Sequence, residues 1–129
     1  MLYVLDSTVL IDHLRGRPVA DRIEARLRAG DDLATTAINV EEIARGVRPS
    51  ERRLVLGFLR GLLVLPIGQD EGWRAGEWRR EFAARGVTLS QADCLIAAAT
   101  ATHEAVLATG NPGDFPMKAV RVEHWPVGR

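Results

Sequence analysis

The sequence predicts a single α/β domain, an α/β/α sandwich in which a mostly parallel central sheet lies between two layers of helices. Short apolar runs alternate with segments of helical spacing along the chain, and strands joined through helices run parallel. The length of 129 residues matches one hydrophobic core, since single domains commonly have about 100 to 150 residues. No linker or internal repeat divides the chain, so we expect one domain over residues 1–129.

The first half of the chain begins with a strand over residues 2–5, a short apolar run that ends at an acid. Residues 7–14 then carry apolar side chains at helical spacing and stop at a Gly-Arg-Pro turn. Residues 19–29 repeat this spacing and end at a glycine, which is common at helix C-termini. The apolar run over 33–36 predicts a second strand, and residues 38–47 place apolar side chains on one helical face.

The middle of the chain is predicted to contain two helices with a strand between them. Residues 50–62 have helical spacing, and Ser50 is the expected N-cap. The apolar run over 63–67 predicts a buried strand. Residues 70–85 form the next predicted helix, which also ends at a glycine.

The last predicted elements are a helix over 90–102 that is apolar on all sides, a strand over 105–109 and a strand over 119–122. A Gly-Asn-Pro-Gly turn over 110–113 separates the two strands. In parallel α/β sheets, ligands bind outside the carboxyl ends of the strands. Residues that directly follow a strand are therefore the first candidates for a functional site.

Composition excludes several classes of protein. The 17 Lys and Arg residues balance 17 Asp and Glu residues, so the chain lacks the overall basic charge typical of nucleic-acid binders. A single cysteine, Cys94, cannot form an intramolecular disulfide. No uncharged apolar run approaches the roughly 18 residues that a membrane span requires, and the first residues do not resemble a signal peptide. We expect a soluble, cytoplasmic protein.

Three aspartates lie where a site is expected. Asp6 directly follows the first strand, Asp114 lies five residues past the strand over 105–109, and Asp93 begins the alanine-rich helix. Each also has a local explanation, as a helix cap for Asp6, a loop turn for Asp114 and part of a capping box for Asp93. An acid at the start of a helix buried in the domain must, however, be paired or bound to a cation.

A fourth acid comes from the helix over 38–47, where two glutamates are adjacent. Glu41 has Arg45 four residues later, which is the spacing of an ordinary surface ion pair. Glu42 instead shares its helical stripe with Asn39 and Gly46, which suits close approach to a cleft, although a solvated face is also compatible with the spacing. We therefore favour Glu42 as the fourth site acid.

Carboxylates that converge on one edge of a sheet repel each other unless a divalent cation lies among them. An all-oxygen ligand set without His or Cys indicates Mg²⁺ or Mn²⁺ rather than zinc. Such sites catalyse hydrolysis of phosphate esters and phosphodiesters, because the metal activates water and stabilises the transition state.

The four acids also lie in four short motifs that follow one another between residues 4 and 115. They are Val4-Leu5-Asp6-Ser7, Glu42-Ile43-Ala44-Arg45-Gly46, Asp93-Cys94-Leu95-Ile96-Ala97-Ala98 and Thr109-Gly110-Asn111-Pro112-Gly113-Asp114-Phe115. Each motif alone is weak, but all four in this order are specific. In them the chain resembles the PIN-domain family, most closely the VapC-type toxins of bacterial toxin-antitoxin pairs.

This resemblance implies a PIN-like fold and a Mg²⁺- or Mn²⁺-dependent endoribonuclease that cleaves tRNA or rRNA. By the same resemblance Asp6, Glu42, Asp93 and Asp114 are the catalytic, metal-binding acids. Ser7, Thr109 and Asn111 would orient carboxylates or the scissile phosphate. The resemblance also implies a homodimer that is blocked by a cognate antitoxin covering the acidic cleft.

Two further features have a functional and a structural interpretation. Four arginines close to Glu42 either contact an RNA backbone or form a solvated helix face: Arg45, Arg48, Arg52 and Arg53. Tryptophans interleaved with arginines near Trp73 and Trp78 could stack on bases, but the spacing of Trp78 and Phe82 favours a packed core or interface.

The main alternative function is a non-catalytic binding module, similar to a phospho-acceptor receiver that holds Mg²⁺. A receiver needs a pair of acids on one strand-end loop and a well-placed lysine, whereas Lys118 is the only lysine here. A phosphohydrolase with a D-x-D nucleophile is disfavoured because residue 8 is Thr8.

Overall fold

A computed structural model, in which residues 1–128 are described, contains a five-stranded sheet with helices on both faces. The strand order is β3-β2-β1-β4-β5, and all four neighbouring pairs are parallel. The strands are β1 (Leu2–Leu5), β2 (Asp32–Thr36), β3 (Leu63–Leu65), β4 (Val106–Thr109) and β5 (Arg121–His124). The helices are α1 (Ser7–Leu14), α2 (Val19–Arg28), α3 (Ala37–Gly46), α4 (Arg52–Arg60), α5 (Gln69–Ala83) and α6 (Gln91–Thr102).

Two hydrophobic cores lie on opposite faces of the sheet, as the alternation of side chains along a strand requires. Within β1, Val4 belongs to one core, whereas Tyr3 and Leu5 belong to the other. The Val4 core includes side chains of α5 and α6, and the Leu5 core includes side chains of α1, α2, α3 and α4. This layering confirms the α/β/α sandwich.

Helix α6 is the most deeply buried helix of the described chain, with a run of fully enclosed residues from Ile96 to Thr100. Cys94 is also fully buried, as a small apolar side chain would be. Helix α5 packs antiparallel to α6, because Glu71 in its first turn contacts the last residue of α6 and Arg79 reaches Leu89 before α6 begins. Only three residues join the end of α6 to the beginning of β4, so the start of α6 lies toward the carboxyl ends of the strands.

The prediction of a buried strand over 63–67 was wrong in both length and burial. Strand β3 ends at Leu65, and the side chains of Leu63 and Val64 are 54% and 55% exposed. β3 lies at the edge of the sheet, with β2 as its single neighbouring strand. An apolar run that would be buried in a central strand is therefore partly exposed to solvent here.

Two other elements, α4 and β5, begin two residues later than predicted. Ser50 does not cap α4, because Pro49–Glu51 forms a 3-10 turn and the Glu51 carboxylate accepts from the Arg48 backbone N–H at 3.3 Å. The last strand begins two residues later than expected, since Val120 N–H bonds back to the carbonyl of Met117 and closes a turn first.

Trp78 and Phe82 lie in the hydrophobic core between α5 and α6, which confirms their packing role. Trp78 is therefore not a base-stacking surface, whereas Trp73 is 73% exposed. Among residues 1–128, no helix combines the length and the hydropathy needed to cross a membrane.

Candidate active site

The side chain of Asp6 leaves the carboxyl end of β1 and is held from three directions. One carboxylate oxygen, Oδ1, accepts from Asn39 Nδ2 at 3.3 Å. The other, Oδ2, accepts from Thr109 Oγ1 at 2.7 Å and from Thr8 Oγ1 at 3.4 Å. Asp6 occupies the N-cap position of α1, yet its side chain makes no capping hydrogen bond. The local explanation of Asp6 as a helix cap is therefore wrong.

Asn39 joins the first two strand ends and was not predicted as a site residue. Its side chain is fully buried and accepts from Thr36 Oγ1 at 2.7 Å, so its amide group is free to donate. The Nδ2 atom donates to Ser7 Oγ at 2.9 Å as well as to Asp6. The sequence places Asn39 on the same helical stripe as Glu42, but its burial, which requires partners for its polar groups, is seen only in the structure.

Of the two adjacent glutamates, Glu42 belongs to this network. Ser7 Oγ donates to Glu42 Oε1 at 2.7 Å. Glu41 faces solvent and pairs with Arg45, with 3.3 Å between its carboxylate and the guanidinium Nε. The geometry therefore supports Glu42 rather than Glu41 as the acid at this end of the sheet.

Asp93 approaches the same region from the first turn of α6. Ser90 caps this helix by accepting from Asp93 N–H at 3.0 Å, which is one of the two hydrogen bonds of a capping box. Burial raises the pKa of the Asp93 carboxyl, the Ser90 hydroxyl opposes this, and the charges of three other acids raise it further: Asp114, Asp6 and Glu42. The charges of these three acids therefore act on Asp93 from nearby.

Asp114 and Asn111 lie on the exposed turn that follows β4, where Pro112–Asp114 forms a 3-10 helix. The backbone N–H of Asn111 donates to Thr109 Oγ1 at 3.0 Å, which leaves the Thr109 hydroxyl proton for Asp6. The turn thus supports Asp6 through the Asn111 backbone rather than through its amide side chain.

The four acids lie in one region without forming a closed ligand shell. Among residues 1–128, no three His, Cys, Asp or Glu side chains stand close enough together to constitute a ready metal site. The donors in the Asp6 network are carboxylate, hydroxyl and amide groups, and the oxygen atoms among them suit a hard cation such as Mg²⁺ or Mn²⁺. The residues present therefore fit such an ion chemically.

A groove of about 390 Å³ adjoins Glu42 between α1, α3 and α4. Its walls are mixed, with apolar side chains such as Ile43 and Val55. The basic Arg15 and Arg48 are balanced there by the acidic Glu42 and Glu51. Arg48 lies 3.9 Å from Glu51, so its charge is only partly free. Arg15 was not among the predicted RNA contacts, because the arginine cluster was defined by its position after Glu42 in the sequence.

Comparison with known proteins identifies the family. The model of the PIN domain matches residues 3–119, which include all four acidic motifs. The chain is 34% identical over 116 residues to Ribonuclease VapC10 of Mycobacterium tuberculosis, covering 90% of this chain and 87% of that protein. The chain belongs to the PIN-domain family, among the VapC-type ribonucleases.

Solved structures of toxin-antitoxin proteins share the PIN-domain architecture seen here. VapBC2 of Rickettsia felis, crystallised with a DNA fragment from its promoter, has a TM-score of 0.83 at 21% identity, covering 97% of this chain and 99% of that chain. A toxin-antitoxin complex from Klebsiella pneumoniae has a TM-score of 0.72 at 26% identity, covering 92% and 94%. These matches confirm the predicted fold and family and give no support to a receiver-like binding module.

Proposed function

We propose that this VapC-type protein is a metal-dependent endoribonuclease that hydrolyses RNA phosphodiester bonds in tRNA or rRNA. One observation carries the proposal. Asp6 is a nearly buried carboxylate that makes no capping hydrogen bond to α1. It is oriented instead by Asn39, Thr109 and Thr8. A buried acid fixed in this way, with three further acids around it, is typical of a site that holds a cation rather than of a structural contact.

Mg²⁺ or Mn²⁺ would be held by Asp6, Glu42, Asp93 and Asp114. Such an ion, when bound, supplies activation of water and stabilisation of the charge that develops on the phosphate. The hydroxyl of Ser7 holds the Glu42 carboxylate, and Asn39 ties Ser7 to Asp6, so these two acids keep a fixed relative orientation. Fixed orientation of the ligands lowers the cost of assembling the loaded site.

The RNA backbone would lie along the positive side chains beside Glu42, which we propose to be Arg45, Arg48, Arg52 and Arg53. Arg52 and Arg53 begin α4 and are exposed, whereas Arg45 and Arg48 have acidic neighbours on their own helical turns. Exposed arginines at one side of an acidic cleft suit a phosphate chain, because they attract the strand that the acids alone would repel.

The test of this proposal is cleavage of a panel of tRNA and rRNA by purified protein with Mg²⁺ or Mn²⁺. Asp6→Asn and Glu42→Gln should each lower cleavage by about 100-fold or more, since even the outer partners of metal ligands commonly contribute 10- to 100-fold. Glu41→Gln is the matched control and should cleave like the wild type. Equal cleavage by Asp6→Asn, or loss in Glu41→Gln without loss in Glu42→Gln, contradicts the site assignment.

The proposed partners are a cognate antitoxin, which would cover the acidic cleft, and a second copy of the chain. The antitoxin proposal is supported by the similarity to the Klebsiella toxin-antitoxin complex. The homodimer is supported by an apolar patch on α4, formed by Leu54, Gly57 and Phe58, in which Leu54 is 75% exposed. We call these three residues the α4 patch.

The α4 patch gives a direct test of the homodimer. Leu54→Asp would place a charge in the interface, so the wild type should have the mass of a dimer and the variant that of a monomer in light scattering. Trp73→Gln is the control, because Trp73 is similarly exposed but lies on α5 at the opposite face of the sheet. A Leu54→Asp variant that stays dimeric would exclude this patch as the interface.

A further inference from the structure

The last residues of the described chain return to the side of the domain that carries the acids. Trp125 is 1% exposed and packs with its ring 5.7 Å from that of Tyr3. Its backbone N–H donates to the carbonyl of Thr109 at 2.9 Å, which extends the contact between the chain end and β4. We call residues 125–128 the C-terminal strap.

Asp12 anchors the far end of the strap. This aspartate lies on α1, is 3% exposed, and accepts from the backbone N–H of Gly128 at 2.9 Å through Oδ1. Arg17 lies 3.6 Å from the same oxygen, while Oδ2 is buried with no hydrogen-bond partner among the described residues. Burying a carboxylate costs free energy unless its oxygens are hydrogen-bonded. The contact between Asp12 and Gly128 is therefore important for holding the strap against α1.

Between its two ends the strap presses on Gly110, the first residue after β4. A Cβ atom at Gly110 would lie 2.7 Å from Val127 Cγ2 and 3.4 Å from Thr8 Oγ1. The Gly110 backbone therefore fits closely between the strap on one side and α1 on the other. A side chain at this position would push one of them away.

Thr8 connects this packed backbone to the acid site. Its Oγ1 accepts from Gly110 N–H at 3.0 Å and donates to Asp6 Oδ2 at 3.4 Å. The same Asp6 oxygen accepts from Thr109, whose carbonyl is bonded to Trp125. The strap thus acts on the Asp6 carboxylate from two sides, through Gly110 and Thr8 and through Thr109.

We propose that the C-terminal strap sets the orientation of the Asp6 carboxylate, with Thr8 and Asp12 as positioning residues. Thr8 fixes the distance between the turn after β4 and Asp6, and Asp12 holds the strap in place against Gly110. This inference rests on the proposed function for the role of Asp6, but the coupling between strap and carboxylate does not. Neither residue contacts the reacting atoms in this arrangement.

The experiment uses the full chain, a chain that ends after Trp125, and two matched pairs of variants. Thr8→Val removes the hydroxyl at constant shape, and Thr8→Ser restores it. Asp12→Ala removes the acceptor for Gly128, and Asp12→Asn restores an oxygen there. For each protein, thermal unfolding, the Mn²⁺ dissociation constant, kcat and KM on RNA, and hydrogen exchange of the Gly110 amide are measured.

The shortened chain, Thr8→Val and Asp12→Ala should bind Mn²⁺ about 10-fold more weakly and lose about 10-fold in kcat, the lower end of what such indirect contacts contribute. KM should change by less than about twofold, because the RNA contacts are elsewhere. The Gly110 amide should exchange faster in all three, and Thr8→Ser and Asp12→Asn should recover most of each loss.

Folded variants with wild-type Mn²⁺ affinity and unchanged Gly110 exchange overturn the inference. If Asp12→Ala fails to fold, the shortened chain and the Thr8 pair decide the same question. A wild type that neither binds Mn²⁺ nor cleaves RNA contradicts the proposed function instead. Gly110 exchange in the shortened chain and in Asp12→Ala, both of which keep the Thr8 acceptor, then decides the coupling: faster exchange supports it and unchanged exchange refutes it.

Discussion

At the scale of single residues, the site depends on which donors form hydrogen bonds with the buried Asp6 carboxylate. Asp6 could have capped α1 by sequence, but its two oxygens are bound by donors from α3, β4 and α1 itself. Asn39 makes this possible, because Thr36 occupies its oxygen and leaves both amide hydrogens for Asp6 and Ser7. Because the Asn39 side chain is fully buried and all its polar groups are hydrogen-bonded, it holds the side chains of Asp6 and Ser7 in one orientation.

Replacing this amide gives a prediction for both stability and activity. Asn39→Ala should destabilise the fold by about 1 to 3 kcal/mol, because Thr36, Ser7 and Asp6 lose a partner in a buried setting. RNA cleavage should fall by about 10- to 100-fold even where the variant remains folded. Chemical denaturation and single-turnover cleavage measure the two effects. A destabilised variant with full activity would show that Asn39 supports the fold alone.

The sequence singled out four acids and two of their hydrogen-bond partners, Ser7 and Thr109, but missed three other polar residues of the network. Asp6, Glu42, Asp93 and Asp114 follow from strand ends, helix starts and spacing, which are local properties. Asn39, Thr8 and Asp12 were missed because their roles depend on residues about 30 to more than 100 positions away. No local pattern distinguishes such a polar residue from a solvated one.

At the scale of elements, central and peripheral segments behave differently. β1 and α1 have the predicted limits, because the buried run of β1 ends at Asp6 and the helical spacing of α1 ends before Gly16. β3 and β5 are the outer strands, and there the prediction failed in burial or position. Burial of an edge strand depends on which elements lie beside it in space. The hydropathy pattern along the chain gives no information about these neighbours.

The hydrogen bonds of Glu71 to the N-cap of α5 and to the end of α6 predict a pH effect on stability. The Gly68 N–H, followed by the Thr102 hydroxyl, lowers the pKa of the Glu71 carboxyl by hydrogen bonding to its charged form. A pKa below that of the unfolded chain stabilises the fold above the unfolded value, about 4.3 for Glu, and this contribution is lost as the pH falls through the folded value.

Glu71→Gln should therefore lower the melting temperature at pH 7, and the gap to the wild type should close as the pH falls below about 4. Thermal unfolding of both proteins between pH 7 and pH 3.5 measures the gap. The exposed Glu24→Gln is the control, with a small and constant difference. A gap for Glu71→Gln that is independent of pH would show that the lost contact is not one of the charged carboxylate.

At the scale of the whole molecule, zero net charge conceals an uneven distribution. Setting aside the four site acids leaves 13 acidic against 17 basic residues. An acidic cleft on a mildly basic body explains how a neutral protein can act on RNA, because neutralising the acids with a cation exposes the surplus. Overall charge alone argued against a nucleic-acid partner, and only the placement of the charges reversed that expectation.

This distribution predicts the salt dependence of RNA binding. Replacing Arg52 and Arg53 together by alanine should reduce the slope of log affinity against log salt by about 1 to 2, since each phosphate contact to a single strand contributes roughly 0.7. The double change Arg80→Ala and Arg85→Ala, in α5 and directly after it, is the control, because both arginines are exposed and α5 packs on the other face of the sheet from α4. Equal slopes for the two double variants would exclude α4 from the RNA path.

The central position of β1 also determines how late during synthesis the Asp6 network can form. Asp6 forms a hydrogen bond with Thr109, which is 103 residues later in the chain. Strand β1 likewise pairs with β4, which is synthesised late. At about 5 to 20 residues per second, that interval is on the order of 5 to 20 s of synthesis. The Asp6 carboxylate therefore lacks this hydrogen bond during most of the synthesis of the chain, and we expect no assembled site over that interval.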